Sequence, residues 1–379
     1  MATLIRPPPP QPGVSPMESV LELTSLADID PGLFTNTRQL WHPPGARGIY
    51  GGAVIAQCLA AAQRTVPSNF TVHSMHCYFV LAGNADIPVI YHVENVREGK
   101  SFATRTVQAR QRGKPIFTTT MSFVRENSGG AQIVEHASTM PSVPAPREDE
   151  DDNMDYDSTS PIQSQRIEMF NSDSPNPQDK KTRQWIRARG RISADGGHQA
   201  HLSALAYMSD SYFIGTVARV HGLWRYAGAR VNGKAARGNI DESVLQRLRN
   251  MDDETLKKIQ FMDEEQIKKV LENDDSLTAA EKREIGMMVS LDHTIYFHEP
   301  RAFRADEWMC AEMESPWAGD GRGVVIQRIF SRDGKLIATC VQEASCIRCH
   351  LVCLRCANPN VGACEIEARV RGQEQTIRN

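Results

Sequence analysis

Three polar residues sit where the sequence is otherwise apolar, and their types suit the activation of water. Asp210 interrupts "ALAYMSDSYFIG", a run of Ala, Leu, Tyr, Met and Phe. A carboxylate there is costly unless it is hydrogen-bonded or functional. It reads either as a general base on water or as the cap of a helix break beside Ser209 and Ser211. Gln342 ends the apolar run "LIATCV". A buried amide holds a water or polarises a carbonyl, or it simply forms a cross-strand hydrogen bond. Ser290 opens "SLDHTIYFHEP", which also holds Asp292 and His293. The three types resemble a Ser-His-Asp triad. Strand alternation, however, puts Ser290, Asp292 and Thr294 on one face and Leu291, His293 and Ile295 on the other. His293 is then no base for Ser290, and it reads as a core histidine bonded to backbone. The chain also lacks a GxSxG nucleophile elbow.

Two long helices and two antiparallel meanders must position these groups. "IYGGAVIAQCLAAAQRTVP" reads as a helix opened by Gly51 and Gly52, with Val54, Cys58, Leu59 and Ala62 at helical spacing. The glycine pair either brings the helix N-terminus close to a substrate or permits tight packing of helix on sheet. "TVHSMHCYFV", "PVIYHVENVRE", "SFATRTVQARQ" and "PIFTTTMSFVRE" follow as strands, with "REGKS" and "QRGKP" as hairpin turns. The order then recurs. "RQWIRARGRI" reads as a strand and "HQAHLSALAYMSDSYFIGTVARVHG" as one largely apolar helix, with Leu202, Leu205, Met208 and Phe213 on its buried face. Three further strand stretches follow, the last of them folded into a hairpin at "SRDGK". The chain is therefore a tandem repeat of one α+β unit.

The expected divisions are a disordered arm over 1–16, a first unit over 17–126, an acidic linker over 127–183 and a second unit over 184–345. A charged helical insertion spans 228–286 within that second unit, and a Cys-rich tail covers 346–379. The insertion carries a thin apolar stripe and is expected to face solvent. The tail holds "CIRCHLVCLRC", two CxxC pairs too close together for the usual zinc knuckles, so no metal is expected. A formal net charge of -3 gives no reason to expect nucleic-acid binding. No apolar run reaches the length of a membrane span. The N-terminus lacks the apolar core of a secretory signal, so the thiols are expected to be reduced.

Taken together and in order, "GIYGGAVIAQCLAAAQRTVP", "VHSMHCYFV", "REGKSFATRTVQARQRGKPIF", "YMSDSYF", "SLDHTIYFHEP", "EW" and "DGKLIATCVQE" closely resemble the type II acyl-CoA thioesterases. This is the TesB-like group that includes the peroxisomal thioesterases. The resemblance covers most of residues 17–345. It implies a double hotdog, in which two antiparallel sheets each wrap around a long helix. It implies hydrolysis of fatty acyl-CoA to free acid and CoA, without a cofactor. It also implies that Asp210, Ser290 and Gln342 are the catalytic set, jointly activating one water, with no serine acyl-enzyme. The sequence leaves two alternatives. One is a pathway-specific thioesterase for a polyketide-like or branched acyl-CoA; the other is a non-catalytic acyl-CoA-binding protein. A homo-oligomer is compatible with either. The resemblance suggests the peroxisomal matrix, but the final residues, "TIRN", are no SKL-type tripeptide, which leaves the cytoplasm as the alternative.

Overall fold

The computed structural model describes residues 13–41, 48–128, 130, 134–148, 160–223 and 285–348. The first unit comprises α1 (Pro16–Leu21), β1 (Leu23–Ser25), β2 (Leu33–Asn36), α2 (Gly51–Gln63), β3 (Phe70–Phe79), β4 (Ile90–Glu98), β5 (Phe102–Gln111) and β6 (Lys114–Arg125). The second comprises β7 (Ile162–Phe170), β8 (Lys181–Ala188), α3 (Gly197–Ser209), α4 (Gly215–Val220), β9 (Ile285–Ser290), β10 (Asp292–Phe297), β11 (Met309–Gly319), β12 (Arg322–Phe330) and β13 (Leu336–Arg348).

The strand order is β1-β2-β4-β5-β6-β3 in one unit and β7-β8-β11-β12-β13-β10 in the other. The two orders correspond position by position. This is the repeat that the sequence suggested, and it is a double hotdog. The strands alternate as half-buried strands should. In β5, for example, Ala103, Arg105, Val107 and Ala109 face inward. Hairpin turns use the expected glycines, with Gly113 and Gly334 at positive φ. The halves join where β3 pairs antiparallel with β10, from Tyr78 opposite Asp292 to Ser74 opposite Tyr296. Hydrophobic periodicity carries no record of that junction.

The central helices α2 and α3 are each thirteen residues long and lie against one another. They run antiparallel. Gln63, at the C-terminal end of α2, donates its Nε2 to Gln199 O at 3.4 Å, near the start of α3, and accepts from Ser203 Oγ at 3.0 Å, at its middle. Tyr50, just before α2, donates its hydroxyl to Tyr207 O at 3.0 Å, near the end of α3. Residues 201–209 are buried all round, which suits a helix wrapped by sheet and partnered by another helix.

Three expectations require correction. The single helix after residue 196 is two helices: Ser209 Oγ lies 2.9 Å from Ala206 O, Asp210 caps the first helix, and Tyr212 takes φ 58°. The linker expected over 127–183 contains β7 and the start of β8, and its residues 134–148 dock on the second sheet. Met140 and Val143 pack on the cluster of Trp185, Trp308, Cys310 and Phe330, while Trp185 Nε1 donates to Pro144 O at 2.8 Å. A few apolar anchors hold a segment whose composition is polar. Finally, the ends of the expected arm and tail belong to the fold. Ser15 caps α1 in a capping box with Glu18, and β13 continues through Arg348, pairing with β9. The charged insertion lies outside the described residues, except that Ile285 and Gly286 open β9. The tail beyond 348 and the acidic run over 149–159 also lie outside them.

Candidate active site

Asp210 is the C-cap residue of α3. Its carboxylate sits at the negative end of its own helix dipole but beside the N-terminus of α2, whose partial positive charge offsets it. The approach is close. A Cβ added at Gly51 would lie 2.7 Å from Asp210 Oδ2 and 2.9 Å from the Phe79 ring. A Cβ at Gly52 would lie 2.2 Å from Tyr207 O. Gly52 therefore brings helix onto helix, while Gly51 also lets the helix close on Phe79 of β3. Gln342 is fully buried on β13, and its Nε2 donates to Asp210 Oδ1 at 2.9 Å. The structure thus joins two residues that lie 132 positions apart in the chain.

Ser290 reaches the same side by a device that simple alternation misses. Thr294 opposes Val341 and Ser290 opposes Ala344, so four steps along β10 and β9 match three along β13. The extra residue makes a β-bulge at Leu291 and Asp292. Opposed residues share a face. Ser290 therefore shares the face of Ala344, which is the buried face of Gln342, Cys340 and Ala338. His293 is also on that face, so the expectation that sheet separates Ser290 from His293 is overturned. The expectation of a backbone-bonded His293 is corrected as well. Its Nε2 lies 2.9 Å from Ser209 Oγ. Burial drives its pKa down to about 3, partly opposed by Gln342. A neutral imidazole already engaged by Ser209 is not poised as the base of a triad.

Asp292 holds the bulge. Its Oδ1 accepts from the Glu343 N–H at 2.7 Å, and Leu291 N donates to Glu343 O at 2.9 Å. Burial raises its carboxyl pKa, while the Glu343 N–H works in the opposite direction. Asp292→Ala is expected to lower unfolding stability by about 1.5–3 kcal/mol, the scale of a hydrogen bond to a charged group. It should also lower kcat, because Ser290 loses its orientation. Asp292→Asn retains an acceptor and should recover most of both losses in melting and turnover measurements.

The repeat supplies an internal control. At the C-cap of α2, where α3 has Asp210, stands Arg64, which donates to Leu23 O at 3.0 Å. A matching bulge in β3 falls between Val72 and Ser74. Counting from it, Val72 takes the place of Ser290 and Met121 that of Gln342. Both are core residues. Among the described residues, the carboxylate–amide pair, with the hydroxyl on the same sheet face as the amide, therefore occurs at one end of the paired helices and not at the other.

Two hotdog units thus meet at a carboxylate bound by a buried amide and set against a helix N-terminus. The sequence matches the acyl-CoA thioesterase N-terminal domain over residues 38–124 and the acyl-CoA thioesterase C-terminal domain over residues 138–346. The chain belongs to the acyl-CoA thioesterase family and is a thioester hydrolase acting on acyl-CoA. It is 33% identical to human acyl-coenzyme A thioesterase 8 over 350 residues, covering 86% of this chain and 89% of that one. A segment of 130 residues is 35% identical to peroxisomal acyl-coenzyme A thioester hydrolase 1 of Saccharomyces cerevisiae, covering 34% of this chain and 36% of that one. Among solved structures, the acyl-CoA thioesterase II TesB2 of Mycobacterium marinum superposes with a TM-score of 0.57 at 26% identity, covering 88% of this chain and 97% of that one.

Proposed function

We propose that this thioesterase hydrolyses fatty acyl-CoA with one water activated jointly by Asp210, Ser290 and Gln342. The observation that carries the assignment is the 2.9 Å hydrogen bond from Gln342 Nε2 to Asp210 Oδ1 at the N-terminus of α2. Asp210 takes a proton from the water as its oxygen attacks the thioester carbonyl. The Gln342 amide and the Ser290 hydroxyl orient that water. The N–H groups of Gly51 and Gly52 at the start of α2 face the developing oxyanion. The tetrahedral intermediate collapses with cleavage of the C–S bond, and the proton held by Asp210 passes to the CoA thiolate. A peroxisomal setting is supported by the name of the yeast relative.

The test is loss of thioester absorbance over a panel of acyl-CoAs, from short to long chain. It reads substrate directly, whereas thiol reagents would also report the nine cysteines of the chain. Wild type should turn over several chain lengths. Ser290→Ala and Gln342→Leu should each lower kcat by about 10–10³-fold, the scale of a lost orienting or oxyanion donor. Unchanged turnover in both variants would remove them from the site.

A further inference from the structure

The strongest unexplained feature is a buried polar pair behind the proposed site. In the first unit, β3 and β6 oppose Met75 to Met121, and both are fully buried. In the second unit, the register of Thr294 with Val341 continues one step to oppose His293 to Gln342. Both of these are fully buried as well. One half of the repeat fills the position with two thioethers, and the other with an imidazole and an amide. Such groups are costly to bury unless hydrogen-bonded. Directly opposed residues hold their Cβ atoms roughly 4.5–5.5 Å apart.

We propose that His293 is a positioning residue for hydrolysis: as the neutral Nδ1–H tautomer, with Nε2 accepting from Ser209, it donates to Gln342 Oε1 and so aims the Gln342 amide nitrogen at Asp210 and the reacting water. The atoms support this assignment. His293 Nε2 is 2.9 Å from Ser209 Oγ, and Gln342 Nε2 is 2.9 Å from Asp210 Oδ1. The two atoms left over, His293 Nδ1 and Gln342 Oε1, are each buried without a hydrogen-bond partner among the described residues, and a small turn of either side chain would pair them. Ser209 Oγ also lies 2.9 Å from Ala206 O, and its single proton serves one acceptor at a time. Donation to His293 lets Nδ1–H satisfy Oε1. Donation to Ala206 leaves Oε1 without a donor. A flipped Gln342 amide would set Oε1 against the Asp210 carboxylate, oxygen against oxygen. His293 transfers no proton in the reaction. The depressed pKa of this buried imidazole agrees with a neutral ring.

The inference rests on the assignment of Asp210 and Gln342 to water activation, and the experiment separates the two. Nitrogen-15 spectra of the full-length enzyme report the tautomer of His293. The expected result is a neutral ring with its proton on Nδ1, displaced in Gln342→Leu but not in Ser290→Ala. In kinetics, His293→Phe should lower kcat by about 10–10²-fold, the scale of a displaced catalytic group, with KM little changed. His293→Asn, whose amide nitrogen takes the place of Nδ1, should restore most of that loss. An Nε2–H tautomer or a charged ring in wild type overturns the inference. So does a folded His293→Phe with wild-type kcat when Gln342→Leu is inactive. Full activity in Gln342→Leu overturns the assignment of the site as well. Where His293→Phe fails to fold, the wild-type tautomer decides.

Discussion

Asp210→Asn is expected to lower kcat for acyl-CoA hydrolysis by about 10²–10⁴-fold, the range that a positioned general base supplies. The substitution is nearly isosteric. Asn Oδ1 still accepts from Gln342 Nε2, so the contact now at 2.9 Å survives while the base is lost. KM should change little, because the carboxylate acts on water rather than on the acyl chain or CoA. Stability should hold or rise. The charge stands at the C-terminal end of α3, where its own helix disfavours it, and the N-terminus of α2 offsets that cost. A residue retained against local stability is the pattern of a functional group. Single-turnover rates and thermal melts of the variant make the comparison. A wild-type rate would remove Asp210 as base. A large drop in melting temperature with a modest rate effect would make it a structural cap of the break before α4.

The asymmetry of the repeat sharpens that expectation. Duplicated units placed back to back offer two equivalent helix junctions. At one, Arg64 spans to Leu23 O and lies 5.7 Å from the Phe34 ring centroid, and the sheet behind it contributes Val72, Met75 and Met121. At the other stand Asp210, Ser290, His293 and Gln342. Fold alone requires none of the second set, since the first packs the same architecture with an arginine at the helix end and apolar side chains on the sheet behind it. The proposed chemistry accounts for the polar set, which occurs once among the described residues.

Parts of this were legible in the sequence because burial is chemically selective. Asp210 and Gln342 stood out as polar groups in apolar elements, and the structure brings them into direct contact. The twofold succession of helix and meander was visible because side-chain periodicity records which face is buried. Other parts left no local signature. The bulge at Leu291 and Asp292 adds one residue to a ladder, and whether "SLDHTIYF" runs straight depends on its partner β13, forty-odd residues away. That one residue reversed the face assigned to Ser290 relative to His293. β7, "IQSQRIEMF", was hidden because an edge strand carries polar residues on its open side. The segment 134–148 was hidden because Met140 and Val143 are sparse anchors in a polar background.

The glycine pair gives the other large effect, and its two members should fail in different ways. Gly52→Ala puts a Cβ 2.2 Å from Tyr207 O, a backbone atom within α3. The two central helices must then separate, and overpacking of a close-packed core costs about 1–3 kcal/mol or more. Gly51→Ala meets side chains instead, Asp210 Oδ2 at 2.7 Å and the Phe79 ring at 2.9 Å. Side chains yield more cheaply than backbone, so stability should fall less. The atom that yields is a carboxylate oxygen of the proposed base. A displacement near 1 Å at such a group costs about 10²-fold in rate. Gly51→Ala should therefore show a fold close to wild type with kcat strongly reduced, while Gly52→Ala should melt early and lose activity in proportion to the folded fraction. Circular-dichroism melts alongside kcat per folded molecule separate the two. If the variants behave alike, the glycines serve helix packing only, and the N-terminus of α2 loses its place beside the reacting carbonyl.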